Sequence, residues 1–203
     1  MSPRRANPEL AQRRREALIR AGYGEILQRG IEATTIDGVV ARAGSSKGGA
    51  LYYFPTKDDL LYAIFEWLLT QLDRTLEEVA VSGQSPRARL AAELEVLFHS
   101  PEVNQKLYRV YFEFVALSLR SERFRELLSS FFRRCRERDV AIIGEGVRRE
   151  EFRRVNPEDA ARTIRALVDG YCLQWMAAGS PDDLASYRDR CRALLGTYLL
   201  PAG

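Results

Sequence analysis

The stretch from Thr34 to Lys57, TTIDGVVARAGSSKGGALYYFPTK, permits few folds. Thr35 is placed to cap a helix, its hydroxyl accepting from a free backbone N–H two or three residues on. Ile36, Val39 and Val40 fall at i, i+3 and i+4 and give that short helix one apolar face. Gly44 follows Ala43 where the chain must turn, and only glycine enters the left-handed region there without steric cost. Ser45 or Ser46 caps a second short helix, about Ser46 to Tyr53. Its opening residues Lys47, Gly48, Gly49 and Ala50 are small or cationic, a surface that packs poorly into a core and fits closely against a duplex. Pro55 stops this helix, Thr56 caps the next, and Lys57 stands in that helix's first turn. A helix start already presents free N–H groups and positive dipole, so a cation there is unfavourable unless an anion binds. A phosphate would satisfy Thr56, Lys57 and those N–H groups together. Taken alone, Lys57 also reads as a solvated surface lysine. The spacing predicts a helix-turn-helix that contacts double-stranded DNA through Thr35, Ser45, Ser46, Lys47, Gly48, Gly49, Ala50, Tyr52, Tyr53, Thr56 and Lys57.

Residues Ile19 to Leu61, about a fifth of the chain, resemble the DNA-binding domain of the tetracycline-repressor (TetR-like) family. The resemblance rests on Gly30, Thr34-Thr35-Ile36, Val40-Ala41, Ala43-Gly44, Ser46-Lys47-Gly48, Leu51-Tyr52-Tyr53-Phe54 and Lys57-Asp58-Asp59-Leu60, in order and spacing. Ser45 stands where valine is common, and Tyr53 replaces a frequent histidine. Residues 145–175 resemble, less closely, the C-terminal half of betaine-regulator-type members. The resemblance implies a homodimer, a small-molecule effector bound in the larger domain, and an operator with twofold symmetry. It does not imply choline as the ligand, since a quaternary ammonium needs an aromatic cage whose convergence sequence does not show.

Charge is placed unevenly. Residues 1–57 carry ten Lys/Arg against five Asp/Glu, and the other 146 residues carry 21 against 23. The excess of cations therefore lies at the DNA-binding end. Met1–Asn7 contains Arg4 and Arg5 ahead of Asn7-Pro8, a good helix cap and first position. Two readings are open for it: an arm whose arginines reach a minor groove, or a solvated tail. Arg13, Arg14 and Arg15 add phosphate contacts or line a wet face. No apolar run reaches the roughly 18 residues that cross a bilayer, and the polar N-terminus does not read as a signal peptide. Cys135, Cys172 and Cys191 lack metal-ligand spacing and read as reduced thiols of a cytoplasmic protein. The single histidine, His99, has no nucleophile motif or ligand partner, and no phosphate- or dinucleotide-cradling glycine motif occurs. No enzyme, metal or cofactor is expected.

The rest of the chain predicts an all-α fold of about nine helices, with no period-two segment. Residues 1–56 would form the DNA-binding domain and 57–203 the effector and dimerisation domain. Leu61, Ile64, Phe65, Leu68, Leu72, Leu76 and Val79 make one face of a long fourth helix, the natural lever between the two ends. Helices five to nine open at Ser85-Pro86, Pro101, Ser121 or Glu122, Asn156-Pro157 and Ser180-Pro181-Asp182. The last two carry apolar stripes: Ile164, Leu167, Val168 and Tyr171 on one, Leu184, Tyr187, Cys191, Leu194, Leu195 and Tyr198 on the other. Ala166, Gly170, Ala177 and Ala178 allow close approach there. The stripes predict a four-helix dimer interface or, alternatively, burial within one chain. Crowded aromatics on the sixth helix predict an effector pocket from Trp67, Phe98, Tyr108, Tyr111, Phe112, Glu113, Phe132, Tyr171, Cys172 and Trp175, suited to an apolar or aromatic molecule; plain core is the competing reading. The function expected is a repressor released from a palindromic operator by that effector. An activator using the same contacts, or a helical small-molecule carrier without specific DNA function, are the alternatives.

Overall fold

The computed structural model describes residues 8–179 and 183–201, and within them all regular structure is helical. Arg4, Arg5, Asn7 and the Ser180-Pro181-Asp182 opening lie outside the described residues. The helices are α1 Pro8–Ala33, α2 Ile36–Ala43, α3 Lys47–Tyr53, α4 Lys57–Ala80, α5 Pro86–Leu97, α6 Pro101–Ser118, α7 Glu122–Arg148, α8 Pro157–Ala178 and α9 Leu184–Leu199. Their starts follow the capping chemistry. Thr35, Ser46, Thr56, Ser85, Ser100 and Asn156 each accept a hydrogen bond from a first-turn backbone N–H. Each such cap is worth about 1 kcal/mol. Gly44 closes α2 at φ 59°, and its own N–H returns to the Ala41 carbonyl. Ser46, not Ser45, caps α3.

The core is one continuous cluster built around α4, which buries Leu60, Leu61, Ile64, Phe65, Leu68, Leu69 and Leu76. At its centre Phe65 of α4 stacks on Phe114 of α6 at 4.6 Å, and both rings meet Phe124 of α7. Each pair adds about 0.5–1.5 kcal/mol beyond its burial. α1 packs on α4 and carries α2 and α3; α5, α6 and α7 also pack on α4, and α8 and α9 close the far side against α5, α6 and α7.

The stripes on α8 and α9 are core faces. Ile164 and Val168, with Ala160, Ala161, Cys172 and Trp175, are buried within the single chain, as are Leu184, Cys191, Leu195 and Leu199. Ile164, Val168, Leu184, Cys191 and Leu195 are therefore corrected from interface to core, because α7 and α5 already cover them. Apolar side chains left on the outside include Leu173, 54 % exposed, and Leu194, 47 %. Leu167, Tyr171, Tyr187 and Tyr198 are half-buried, and Tyr171 meets Tyr187 edge-on at 6.0 Å. No described helix is long and apolar enough to cross a membrane.

Candidate functional site

α3 is short and turned outward. Ser45, Ser46, Lys47, Gly48 and Leu51 are exposed, and Tyr52 is 80 % exposed. A methyl added at Gly48 would meet nothing within 4 Å, so the backbone there is open to a close partner. Tyr53 is half-buried, edge-on to Tyr52 at 5.1 Å. Ala50 is 2 % exposed and faces the core, which removes it from the contacting surface. The hydroxyls of Thr35, Ser46 and Thr56 are engaged as caps on Gly38, Gly49 and Asp59, so each fixes a helix start before it can meet a phosphate.

The two lysines differ. Lys47 Nζ lies 2.9 Å from Asp37 of α2, and both side chains are well exposed. Such a pair is worth about 0–1 kcal/mol and yields readily to a phosphate. Lys57 Nζ instead donates to the Glu32 carbonyl at 2.9 Å, near the C-terminal end of α1. The dipole of a helix end attracts a cation there. Lys57 thus has an oxygen partner within the protein, the Glu32 carbonyl. Arg15 sits over the Phe54 ring at 5.4 Å, while Arg13 and Arg14 are exposed or half-exposed along α1.

The expected effector pocket is nearly closed. Leu68, Leu69, Leu72, Leu107, Tyr108, Tyr111, Phe131, Arg165 and Asp169 enclose about 10 Å³, room for roughly one water. Of the residues expected in the pocket, Tyr108 and Tyr111 line it. Phe112 stacks on Tyr108 at 5.5 Å, and Phe132 touches Phe131. Phe98, Cys172 and Trp175 are buried core, and Tyr171 lies outward against Tyr187. Two expectations are overturned. Trp67 packs edge-on against Tyr23 of α1 at 5.6 Å, and Glu113 points at α1, where it accepts from the Ile31 N–H at 2.5 Å. A roomier cleft of about 400 Å³ lies between α5 and α9, over Leu90, Leu94, Phe152, Leu195 and Leu199.

Beside the closed cavity lies a buried charged cluster. Arg165 of α8 donates to Asp169 at 2.6 Å, yet its Nε has no partner among the described residues. Burial raises the Asp169 carboxyl, and Arg165 opposes the rise. Glu93 of α5 and Asp139 of α7 face each other, and burial raises both carboxyls. Arg138 and Arg165 pull the other way. Arg138 also donates to Asp73 of α4 at 2.6 Å, joined by Arg134 at 2.7 Å. The α4 lever is therefore tied to α7 beside the buried acids. Burial pushes the thiols of Cys135 and Cys191 up to about 11 and that of Cys172 to about 12, so all three stay protonated at neutral pH.

A family model described as bacterial regulatory proteins, tetR family, matches residues 18–64, and one described as the C-terminal part of BetI-type transcriptional repressors matches residues 86–200. The second alone spans more than half of the chain. The protein belongs to the TetR family of transcriptional regulators. Among its relatives, the HTH-type transcriptional regulator BetI of Agrobacterium fabrum is 30 % identical over 85 % of this chain and 82 % of its own. BetI of Burkholderia mallei is 31 % identical over 87 % and 89 %. The fold is shared with a TetR regulator from Haloarcula marismortui, at TM-score 0.85 and 24 % identity over 94 % of this chain and 100 % of that one. It is shared equally with a regulator from Saccharomonospora viridis solved in complex with choline, at TM-score 0.85 and 19 % identity over the same shares.

In this TetR-family chain the aromatic crowding of α6 places Tyr108 and Tyr111 on a cavity wall and gives no sign of the charges opposite it. Asp139 falls one turn after Cys135 on the apolar face of α7, and Glu93 lies among Leu90, Leu94 and Leu97. A charged residue at an apolar-stripe position is the available signal. Leu51 and Asp37, exposed on α3 and α2, carry no such mark.

Proposed function

We propose that the protein is a homodimeric repressor, acting in the cytoplasm, that grips a palindromic operator with its two α3 helices and lets go when a small effector binds. Residues 1–56 serve as the DNA-binding domain and residues 57–203 as the effector and dimerisation domain. The observation that carries this is the outward face of α3: Ser45, Lys47, Gly48, Leu51 and Tyr52 exposed on a helix too small to serve the core. Leu51 offers an apolar contact to a thymine methyl, and Lys47 a phosphate or guanine contact. A single such helix binds weakly, so two related by a twofold axis are needed, with half-sites a helical turn or a multiple apart.

The dimer surface lies a fraction of a turn around α8 from the strong apolar stripe. Ala166, Gly170, Leu173 and Ala177 are spaced i, i+4, i+7 and i+11 on α8, Gly170 half-exposed and the other three exposed, and Leu194 of α9 is exposed as well. Small residues at this spacing let a partner helix approach closely.

For the effector, the closed cavity and its charged neighbours favour a small polar cation over a purely apolar molecule. Tyr108 and Tyr111 supply ring faces, and Asp169, paired with Arg165, supplies a carboxyl at the cavity wall. The choline complex of the Saccharomonospora viridis relative makes choline the first compound to test. Binding would open the cavity and displace α4 through Asp73 and Arg138. Tenfold release needs about 1.4 kcal/mol of coupling, and operator must weaken effector binding by the same factor.

The test is operator binding across a salt series with wild type, Lys47→Ala and Lys57→Ala. Each phosphate that a variant no longer neutralises should lower the salt slope by about 0.9, and a dimer doubles the effect. Lys47→Ala should show that fall. Lys57→Ala should weaken binding with little change of slope, since its ammonium is held by the Glu32 carbonyl. Weak binding, equal on any sequence and indifferent to Lys47→Ala, would transfer the weight to a helical small-molecule carrier.

A further inference from the structure

The segment Gly30–Thr34 is the joint between the long first helix and the helix-turn-helix. At Gly30 the backbone leaves the helix at φ 79° and ψ 166°, a conformation that strains any side chain. The turn resumes at Ile31 and ends at Ala33, so the Ile31 N–H stands at a break in the helical ladder. Glu113 of α6 fills that place: its carboxylate accepts from the Ile31 N–H at 2.5 Å, across 82 residues of sequence. A Cβ at Gly30 would stand 3.3–3.4 Å from the two Glu113 oxygens, so glycine also gives the carboxylate its approach. The same joint is held from inside by the Thr34 hydroxyl, which donates to the Gly30 carbonyl at 2.7 Å, and from α4 by Lys57 on the Glu32 carbonyl. Thr34 is buried.

α6 is also the helix that faces the cavity. Tyr108 and Tyr111 line it, Phe112 stacks on Tyr108, and Glu113 follows directly. One rigid turn of α6 therefore has the cavity on one side and the joint of the DNA-binding unit on the other. A second tie exists at the start of α7, where Arg123 bonds Asp58 and Asp59 and covers the Tyr62 ring at 4.2 Å. That tie holds α4, not the joint. We propose that Glu113 is the positioning residue through which α6 sets the orientation of the helix-turn-helix. Movement of α6 acts on the α1 joint through this carboxylate, alongside the hold that α4 has on the same joint through Lys57.

The experiment is an intramolecular spin-label distance between α2 and α7, from Ala41→Cys and Glu137→Cys, both exposed. The native thiols are buried and stay unlabelled. The full chain is used, diluted into excess unlabelled protein, so only one labelled protomer contributes per assembly. Wild type should give one narrow distance. Glu113→Ala should shift or broaden it and weaken operator binding by about tenfold, the effect of removing one charge-assisted hydrogen bond. Glu113→Gln, which keeps an acceptor oxygen, should restore the wild-type distance. Arg123→Ala serves as the control for general loosening and should leave the α2 distance narrow. A wild-type distance in Glu113→Ala, with operator affinity within about twofold, overturns the proposal. Should Glu113→Ala fail to fold, the Ile31 amide decides in the wild-type protein: exchange as fast as an open loop amide overturns the clasp, and slow exchange supports it. The distance needs neither DNA nor effector, so its outcome is separate from that of the repressor reading.

Discussion

Glu93 and Asp139 meet inside the core, where neither can ionise freely. Burial raises both carboxyls, and their contact raises Asp139 further, against the opposing pull of Arg165 and Arg138. The folded chain therefore keeps a proton that the unfolded chain gives up above about pH 4. Folded protein then binds more protons than unfolded, and stability falls as pH rises through the neutral range. Asp139→Asn removes one of the two raised carboxyls, donates an amide N–H to Glu93, and leaves Glu93 free to ionise against the two arginines. Thermal melts of the variant should lie above wild type at pH 8, and the difference should shrink toward pH 5. A difference that is constant with pH would mean that the pair is not proton-linked. Sequence alone does not show this pair. A charge at an apolar-stripe position shows that something is unusual, but its partner sits on another helix and only packing brings them together. The same holds for Glu113. Its place among aromatic residues suggests a pocket, yet the side chain reaches the backbone of α1, and no periodicity reports a target 82 residues away. Lys57 is a third case. Its awkward dipole position reads as a phosphate site, and within the chain its ammonium meets the Glu32 carbonyl.

Caps, turns and apolar periods are legible because they are local. Helix starts at Thr35, Thr56, Ser85, Ser100 and Asn156 follow from side chains within three residues. The direction an amphipathic helix faces is less local. α8 has a buried stripe and a second, milder face of Ala166, Gly170, Leu173 and Ala177. The strong stripe reads first, and the core claims it. What remains outside is the face available to a second copy. Leu173→Glu should leave helix content and the melting temperature of the chain nearly unchanged, yet give a monomer by analytical ultracentrifugation with operator binding abolished. A dimer that persists would place the interface elsewhere. α7 offers a contrasting case. Gly146 is buried where Phe152 folds back, and a methyl added there would overlap the phenyl ring. Gly146→Ala should destabilise by about 1–3 kcal/mol through overpacking, a fall of roughly 2–4 °C in Tm for each kcal/mol. Dimerisation should be untouched, because α7 closes the chain's own core.

At the scale of the molecule the charge is divided by function. Residues 1–57 carry a net +5 and the remainder −2, so only one end of each protomer attracts a polyanion. The negative remainder disfavours other orientations, and the field steers the α3 face toward DNA. Two of the ten cations in that end, Arg4 and Arg5, precede the first described helix, which begins at Pro8. They lie outside the described residues, but Pro8 and Glu9 open α1, whose fold places Arg15 over Phe54 at the end of α3. α1 is thereby anchored to the end of α3, and the proposed role of the arginines ahead of it is to reach an adjoining groove. Removing residues 1–7 should therefore lower operator affinity. In a dimer it deletes four arginines, and each phosphate they neutralise should account for about 0.9 of the salt slope. The footprint should keep its half-site spacing, since the deletion leaves α8 and α9, where the dimer surface is proposed, unchanged. A shortened protein with wild-type affinity and slope would make the segment a solvated tail, and the operator grip would rest on α3 and the exposed arginines of α1 alone.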